Sequence, residues 1–424
     1  MNQNLIITKL GIENLFVILF LSLIIILFQM SVKGQVKSEI GNTKLKVYSI
    51  DQKILLANKE KILFGDKYLS RSYKSLYSAA EKALKQGPFS VTQKQADPPS
   101  GDKHDYMSLA PYWWPDKTKS DGLPYVRRDG VVNPEVKNYP DKEAIVALTK
   151  SVYALSLTYF ITSEERFAKH AVTLLQVWFV DGSTRMNPNF KYAQAIPGKT
   201  GGRGTGLIEA RHFAEIIDAI VVIKNSALWN QEIEGKIKEW FSQYLTWLIE
   251  SKEGQHEAAA KNNHGSWFDV QATAIALFVG NIDFAKNIVE TAKTKRIEYQ
   301  IDPEGKQAEE LVRTKSLGYS TFNLEALFTL ATMGDYLGVD LWNYESIDGR
   351  SLKKALDFLL PYYVKEKVWT YEQIAELDDQ RIYTLLLKAS QHFSSKNYLE
   401  YAKKFSDESR SKVTNIIYNG FAND

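Results

Sequence analysis

The sequence predicts an all-α protein, an incomplete (α/α) toroid of helical hairpins, and three observations carry that reading. Apolar residues recur at three- and four-residue spacing through most of the chain beyond residue 50. Strand-like alternation is scarce, and helices of ordinary length follow one another through loops of unequal length with no Pro-rich or Gly/Ser linker between them. Hairpins closed into a partial ring leave a central cleft lined by helix ends and loops. The composition, 44% hydrophobic and 24% charged, is that of a soluble globular protein. A net charge of +3 is too small to argue for nucleic acid as a partner. The absence of cysteine excludes disulfides, thiolate metal sites, a thiol nucleophile and a lipidated N-terminal cysteine. The 6 His are scattered without His-x-x-x-His spacing, so no metal or other cofactor is expected.

In chain order, Lys9 precedes an apolar run from Leu15 to Phe28 that only Ser22 interrupts. The run is short of the ~20 residues of a bilayer span and fits a signal-peptide core, so residues 1–34 read as a signal peptide. The expectation is export to the periplasm or exterior, with no stable membrane insertion after cleavage. Residues 35–424 then form a single domain. Helices are predicted over 54–63 and 70–86, the second with Tyr73, Leu76, Ala80 and Ala83 on one face. From about 99 to 140 the chain is irregular and rich in Pro, Gly and aromatic residues. A structureless loop this long is usually functional or disordered, and its Trp and Tyr argue against disorder. It is read as an ordered flap laying Tyr112, Trp113 and Trp114 along the cleft.

Two amphipathic helices follow between 141 and 180, with Ile145, Leu148, Val152 and Leu155 on the first and Phe167, Ala171, Leu174 and Trp178 on the second. The Gly-rich run 198–206 lacks the spacing of a nucleotide-binding loop, and the residues before it do not read as a strand. It is read instead as a close backbone approach at the mouth of the cleft. The helix predicted over 207–223 opens with Glu209, Arg211 and His212. Arg203 and Arg211 are candidates to grip sugar carboxylates as bidentate donors. Further helices are predicted over 229–249, 264–279, 284–296, 321–337, 352–362, 379–390 and 398–415.

Two polar clusters interrupt this series. In Lys261-Asn262-Asn263-His264-Gly265-Ser266-Trp267-Phe268-Asp269, one Asn serves as a helix cap, but two Asn followed by His and Trp exceed what a cap requires. An Asn amide is a donor for a substrate carboxylate, and His264 is a titratable group beside it. Glu257, just upstream, is placed to orient His264 or to contact sugar hydroxyls. The second cluster, residues 309–320, carries Arg313 and Tyr319 into another helix start. Aromatic residues make up 12% of the chain, with 9 Trp and 23 Tyr, which leans toward a carbohydrate ligand.

Asn262-Asn263-His264-Gly265-Ser266-Trp267, followed by Arg313 and Tyr319, resembles the alginate lyase superfamily of polysaccharide lyases. The flap segment Pro111-Tyr112-Trp113-Trp114-Pro115-Asp116 is similar to its larger bacterial branch, closest to polysaccharide lyase family thirty-eight and more distantly to family five. The resemblance runs over about residues 100–375 and includes Trp369-Thr370-Tyr371-Glu372-Gln373-Ile374. It implies an α/α toroid and endo-type β-elimination on a 1,4-linked polyuronate, alginate or glucuronan, leaving a 4,5-unsaturated uronate at the new non-reducing end. It implies Asn263, His264, Arg313 and Tyr319 as catalytic residues. Candidate substrate contacts beside them are Tyr112, Trp113, Trp114, Arg203, Glu209, Arg211, His212, Glu257, Asn262 and Trp267. Ser266 stands where family five commonly has Tyr, so that family's substrate preference is not carried over.

These residue types suit the chemistry. The C5 proton of a uronate becomes acidic only when donors stabilise the enolate that forms, a task for Asn263 and Arg313, with His264 beside them. A base takes that proton and an acid protonates the departing O4. Where the two lie on one face of the sugar, Tyr319 serves both steps; where they lie on opposite faces, His264 is the base and Tyr319 the acid. A Tyr base requires nearby positive charge, for which Arg313 is the source. Two other classes compete: a toroid glycoside hydrolase, which needs paired carboxylates, and a non-catalytic glycan-binding protein, which needs neither His264 nor Tyr319.

Overall fold

The computed structural model describes residues 45–394, 397–405 and 413–418, so the predicted signal peptide lies outside the described residues. Helices α1 (Gln52–Leu63) and α2 (Lys67–Ala83) begin at Asp51 and Asp66, whose carboxylates accept the free N–H groups of the first turn. Then come α3 (Asp141–Thr162), α4 (Glu165–Phe179), α5 (Phe213–Ile223), α6 (Gln231–Glu250), α7 (Lys252–Ala258), α8 (Asn263–Val279) and α9 (Ile282–Ala292). The short α10 (Ala308–Leu311) precedes α11 (Ser316–Leu337), α12 (Leu352–Tyr363), α13 (Asp379–His392), α14 (Tyr398–Ala402) and α15 (Thr414–Tyr418). The last two are what is described of the helix predicted over 398–415.

The chain is all-α and closes its hairpins into an incomplete toroid. At its centre is α8, apolar on nearly every side and buried from Gly265 to Phe278, as a helix without a solvent face must be. It packs against α5, α6, α9 and α11. Helix α3 is long and apolar enough to cross a membrane, yet it is a core helix here, packed against α2, α4 and α5.

The helices depart from the sequence reading where their ends meet the site. Helix α11 starts at Ser316 rather than near 321, because Gln373 Oε1 accepts the N–H groups of Leu317 and Gly318 and stands in for a cap. The segment 369–374 straps this helix start: Trp369 Nε1 donates to Ser316 Oγ at 2.9 Å and Ser316 N to Glu372 O at 3.0 Å. The helix predicted over 284–296 changes to a π turn over Lys293–Glu298, which turns Arg296 into the protein interior. The helix predicted from 207 is a 3-10 segment over Gly204–His212 before α5 begins.

Among the described residues, strand is confined to four short segments. β1 (Met107–Leu109) and β2 (Trp113–Trp114) lie in the flap with β3 (Val126–Arg127), and β4 is Tyr192–Ala195. β1 pairs with β4 in parallel, and β2 pairs with β3 antiparallel, setting Trp113 opposite Arg127. The residues before the Gly-rich run therefore do form a strand, contrary to the sequence reading. Four residues whose partner lies far back in the chain give no alternation to read. The Gly-rich run makes the expected close approach: a Cβ on Gly206 would sit 2.6 Å from the Cβ of Ala193 in β4.

Candidate active site

A cleft of about 750 Å³ opens where the flap faces the starts of α8 and α11. Asn262, Asn263, His264, Arg313, Tyr319, Tyr112, Trp113, Arg203 and Arg211 all line it. The sequence clusters around 262 and 313 thus share one wall.

Asn262 is the cap of α8, its Oδ1 accepting from the backbone N–H of His264 at 3.2 Å. Asn263, in the first turn, turns backward. Its backbone N–H and side-chain Nδ2 donate to the carboxylate of buried Glu310 at 2.6, 2.9 and 2.9 Å, while its Oδ1 is buried without a partner. His264 Nδ1 lies 2.7 Å from Oε1 of Glu257, a fully buried carboxylate on α7. That contact fixes the proton on Nδ1 and leaves Nε2 for the cleft.

Gly265 is required by packing. A Cβ there would lie 2.1 Å from the carbonyl oxygen of Ala260 and 2.4 Å from Nη1 of Arg296. Arg296, delivered by the π turn, is buried and holds Asp269 through Nε and Nη2 at 2.7 and 3.0 Å. It also donates to the carbonyls of Ala260 and Ala258 at 2.7 and 3.0 Å. One guanidinium therefore ties α8 to the turn that carries Asn262.

Arg313 stacks on the ring of Tyr319 at 4.0 Å, and the Tyr319 hydroxyl is 2.8 Å from that of Tyr112. From the flap, Asp129 accepts from Arg313 Nη2 and Nε at 2.9 and 3.1 Å and from Arg127 at 2.7 Å. Burial raises the Asp129 carboxyl, but the hydrogen bonds and charge of Arg313 outweigh that and hold it well below the usual carboxylate range. Burial and then the neighbouring Tyr112 push the Tyr319 phenol above its ordinary value, against the opposing pull of Arg313. The sequence reading has Arg313 lower Tyr319; here its charge is shared with Asp129 and does not prevail.

The rest of the wall is cationic. Arg127, Lys142, Arg203, Arg211 and Lys261 line it with Arg313, against one acid, Glu309. Arg203 donates to Gln194 Oε1 at 2.7 Å and Arg211 to Ile208 O at 3.0 Å; among the described residues neither has a carboxylate in ion-pair reach. Burial, then the charge of Arg127, pulls Arg203 down to about 10, which still leaves it charged at neutral pH.

Five predicted contacts do not form the wall. Glu209 is buried, accepting from Tyr106, Ser108 and Gln194, and supports Arg203 through Gln194. Glu257 lies beneath His264. Trp267 packs behind Phe322, the rings tilted with centroids 5.1 Å apart. Trp114 is turned outward, its Nε1 donating to Val131 O and its ring beneath Arg128, because adjacent strand residues face opposite sides. His212 is the residue after Arg211 in a 3-10 segment, so when Arg211 faces the cleft it faces the interior, and burial lowers its imidazole. Sequence reasoning missed Asp129, Glu310, Lys142, Gln194 and Phe322. Glu310 lies within a cluster it singled out, but its partner is 47 residues away.

A helical toroid around a cationic cleft that gathers Asn, His, Arg and Tyr defines a polysaccharide lyase. The alginate lyase family model matches residues 90–369, and the chain belongs to that family. It is similar to an alginate lyase from Bacteroides ovatus, at 40% identity and a TM-score of 0.86 over 89% of this chain and 100% of that one. It shares its fold with alginate lyase A1-III from Sphingomonas species A1, at 15% identity and a TM-score of 0.55 over 88% of this chain and 97% of that one. A form of A1-III complexed with a tetrasaccharide aligns at 13% identity and a TM-score of 0.56, over 90% and 98% of the two chains. No curated protein sequence matches the chain.

Proposed function

We propose that this lyase cleaves alginate, a 1,4-linked polyuronate, by β-elimination in the cleft between the flap and α8, outside the cytoplasm. One observation carries the reading. Among the described residues Arg203 and Arg211 have no carboxylate within ion-pair reach, and they stand in the same wall as Asn263, His264, Arg313 and Tyr319. Unpaired guanidinium groups beside a proton-transfer set suit a polymer with one carboxylate per sugar. The names of its relatives, alginate lyases, support the same substrate. A hydrolase needs two carboxylates across the scissile bond, and among the described residues Glu309 is the one acid in the wall.

In the reaction the uronate carboxylate meets Arg313 and Asn263, which stabilise the enolate as C5 loses its proton. The C5–H electron pair becomes the C4=C5 double bond, the C4–O4 bond breaks, and O4 takes a proton. Tyr319 holds its proton in the resting site and supplies it to O4. His264 Nε2 accepts the C5 proton, and buried Glu257 stabilises the imidazolium that results. This division suits a sugar whose C5–H and O4 lie on opposite faces, as in guluronate. Where they share a face, as in mannuronate, Tyr319 must first give up its own proton, then take that of C5 and pass it to O4.

The test is ultraviolet absorbance of the conjugated product during incubation with polyguluronate, polymannuronate, glucuronan and a glycosaminoglycan. A rise is expected with an alginate block, abolished in Tyr319→Phe. Reducing ends without absorbance would mean hydrolysis, and neither signal with any polymer would refute the lyase reading.

A further inference from the structure

The elimination asks Asn263 to present N–H to the substrate, yet both Nδ2 contacts, at 2.9 Å, go to the two oxygens of Glu310 behind it. The other end of the amide, Oδ1, is buried without a partner in a residue that belongs to the cleft wall. A buried acceptor left unpaired beside a donor facing away from its ligand is the reverse of what the chemistry needs. Half a turn about the last side-chain bond exchanges the two ends, which are nearly alike in shape. That turn sets Oδ1 against Glu310, and two acceptors face each other unless Glu310 carries a proton.

The surroundings of Glu310 favour that proton. Its side chain is buried, and among the described residues no lysine, arginine or histidine pairs with it. The nearest charges, Arg313 on the loop after α10 and His264 on α8, are each held by a carboxylate of their own, Asp129 and Glu257. Burial raises the Glu310 carboxyl, and the hydrogen bonds of Asn263 and the more distant Arg313 and His264 do not reverse it.

We propose that Glu310 is a positioning residue: as a neutral acid it donates to Asn263 Oδ1 while accepting the Asn263 backbone N–H, and so releases Asn263 Nδ2 from itself for the uronate carboxylate. The proposal rests on the lyase reading for the ligand that Asn263 meets. Its proton is not consumed in the elimination; it sets the direction of one amide. As pH rises, loss of that proton turns the amide back toward Glu310 and withdraws a donor from the enolate.

Glu310→Gln tests it. The Gln amide reproduces the neutral acid, with Nε2–H donating to Asn263 Oδ1 and Oε1 accepting the backbone N–H. It is expected to keep kcat within about threefold of the wild type and to lose the alkaline limb that Glu310 sets in kcat/KM. Glu310→Ala is expected to lower kcat by about 10²-fold with a smaller change in KM. A Gln variant as impaired as the Ala variant, with both melting like the wild type, would show that the anion is what matters and overturn the proposal. An infrared difference spectrum of wild type minus Glu310→Gln at neutral pH, without substrate, should show the carbonyl stretch of a buried protonated carboxyl. Its absence overturns the proposal whatever the activity. A wild type that forms no unsaturated product would instead defeat the lyase reading, leaving the infrared band to judge the Glu310 proton by itself.

Discussion

Replacing Gly265 by Ala puts the packing argument to its hardest test. The added Cβ meets the Ala260 carbonyl oxygen at 2.1 Å and Arg296 Nη1 at 2.4 Å, where ordinary contact needs well over 3 Å. Neither neighbour is free to yield. Ala260 is held by Arg296, and Arg296 is buried against Asp269. Relief requires a shift of ~1 Å between the first turn of α8 and the turn before it. Overpacking of this kind costs ~1–3 kcal/mol, and weakening two hydrogen bonds of a buried guanidinium adds ~1–3 kcal/mol. At ~2–4 °C per kcal/mol for a large domain, Tm should fall by on the order of 4–24 °C. The same shift moves Asn262, Asn263 and His264 off their positions, and a misplacement of ~1 Å costs ~10²-fold in turnover. Differential scanning calorimetry and the absorbance assay read the two effects separately. A Gly265→Ala protein melting within ~1 °C of wild type with unchanged kcat would refute the reasoning.

Three further substitutions probe other links. Asp129→Asn removes the carboxylate that shares the charge of Arg313, so Arg313 pulls the Tyr319 phenol down and the limb of the pH–rate profile set by Tyr319 moves to lower pH; an unmoved profile would contradict this. Glu257→Gln leaves His264 without the anion that fixes its tautomer and stabilises its protonated form; kcat should fall by ~10²–10⁴-fold with little change in Tm. Asp218, fully buried, accepts the backbone N–H groups of Tyr48 and Ser49 at 2.7 and 2.9 Å, and burial raises its carboxyl to about 6. Because the folded value lies above the unfolded one, its contribution is complete below ~4 and is lost as pH rises through about 6. Urea titrations of Asp218→Asn across that window should lack the slope that the wild type shows.

The helices were legible because most carry a 3.6-residue apolar period, and the flap because Pro, Gly and aromatic residues rarely crowd together without purpose. The Asn-Asn-His and Arg-Tyr clusters were legible because polar groups in excess of capping need stand out at helix starts. What was hidden depended on distance in the chain. Asp129 meets Arg313 across 184 residues and Glu310 meets Asn263 across 47, and no local pattern encodes either. Facing was hidden too: Trp113 and Trp114 are alike in sequence, and only the pairing of β2 with β3 decides which one reaches the cleft. The start of α11 was misplaced because its cap is Gln373, supplied from the far side of α12.

That α8 and α11 both begin at the cleft has an effect beyond the residues they carry. Each helix adds up the dipoles of its peptide groups into a partial positive charge of ~0.5 at its first turn, and both first turns reach this wall, that of α8 through Asn263 and His264 and that of α11 through Tyr319. Part of the attraction for a polyanion therefore belongs to the backbone. It does not titrate, and no side-chain substitution removes it. A variant stripped of Arg203 and Arg211 would keep this backbone share of the attraction, beside that of Arg127, Lys142, Lys261 and Arg313.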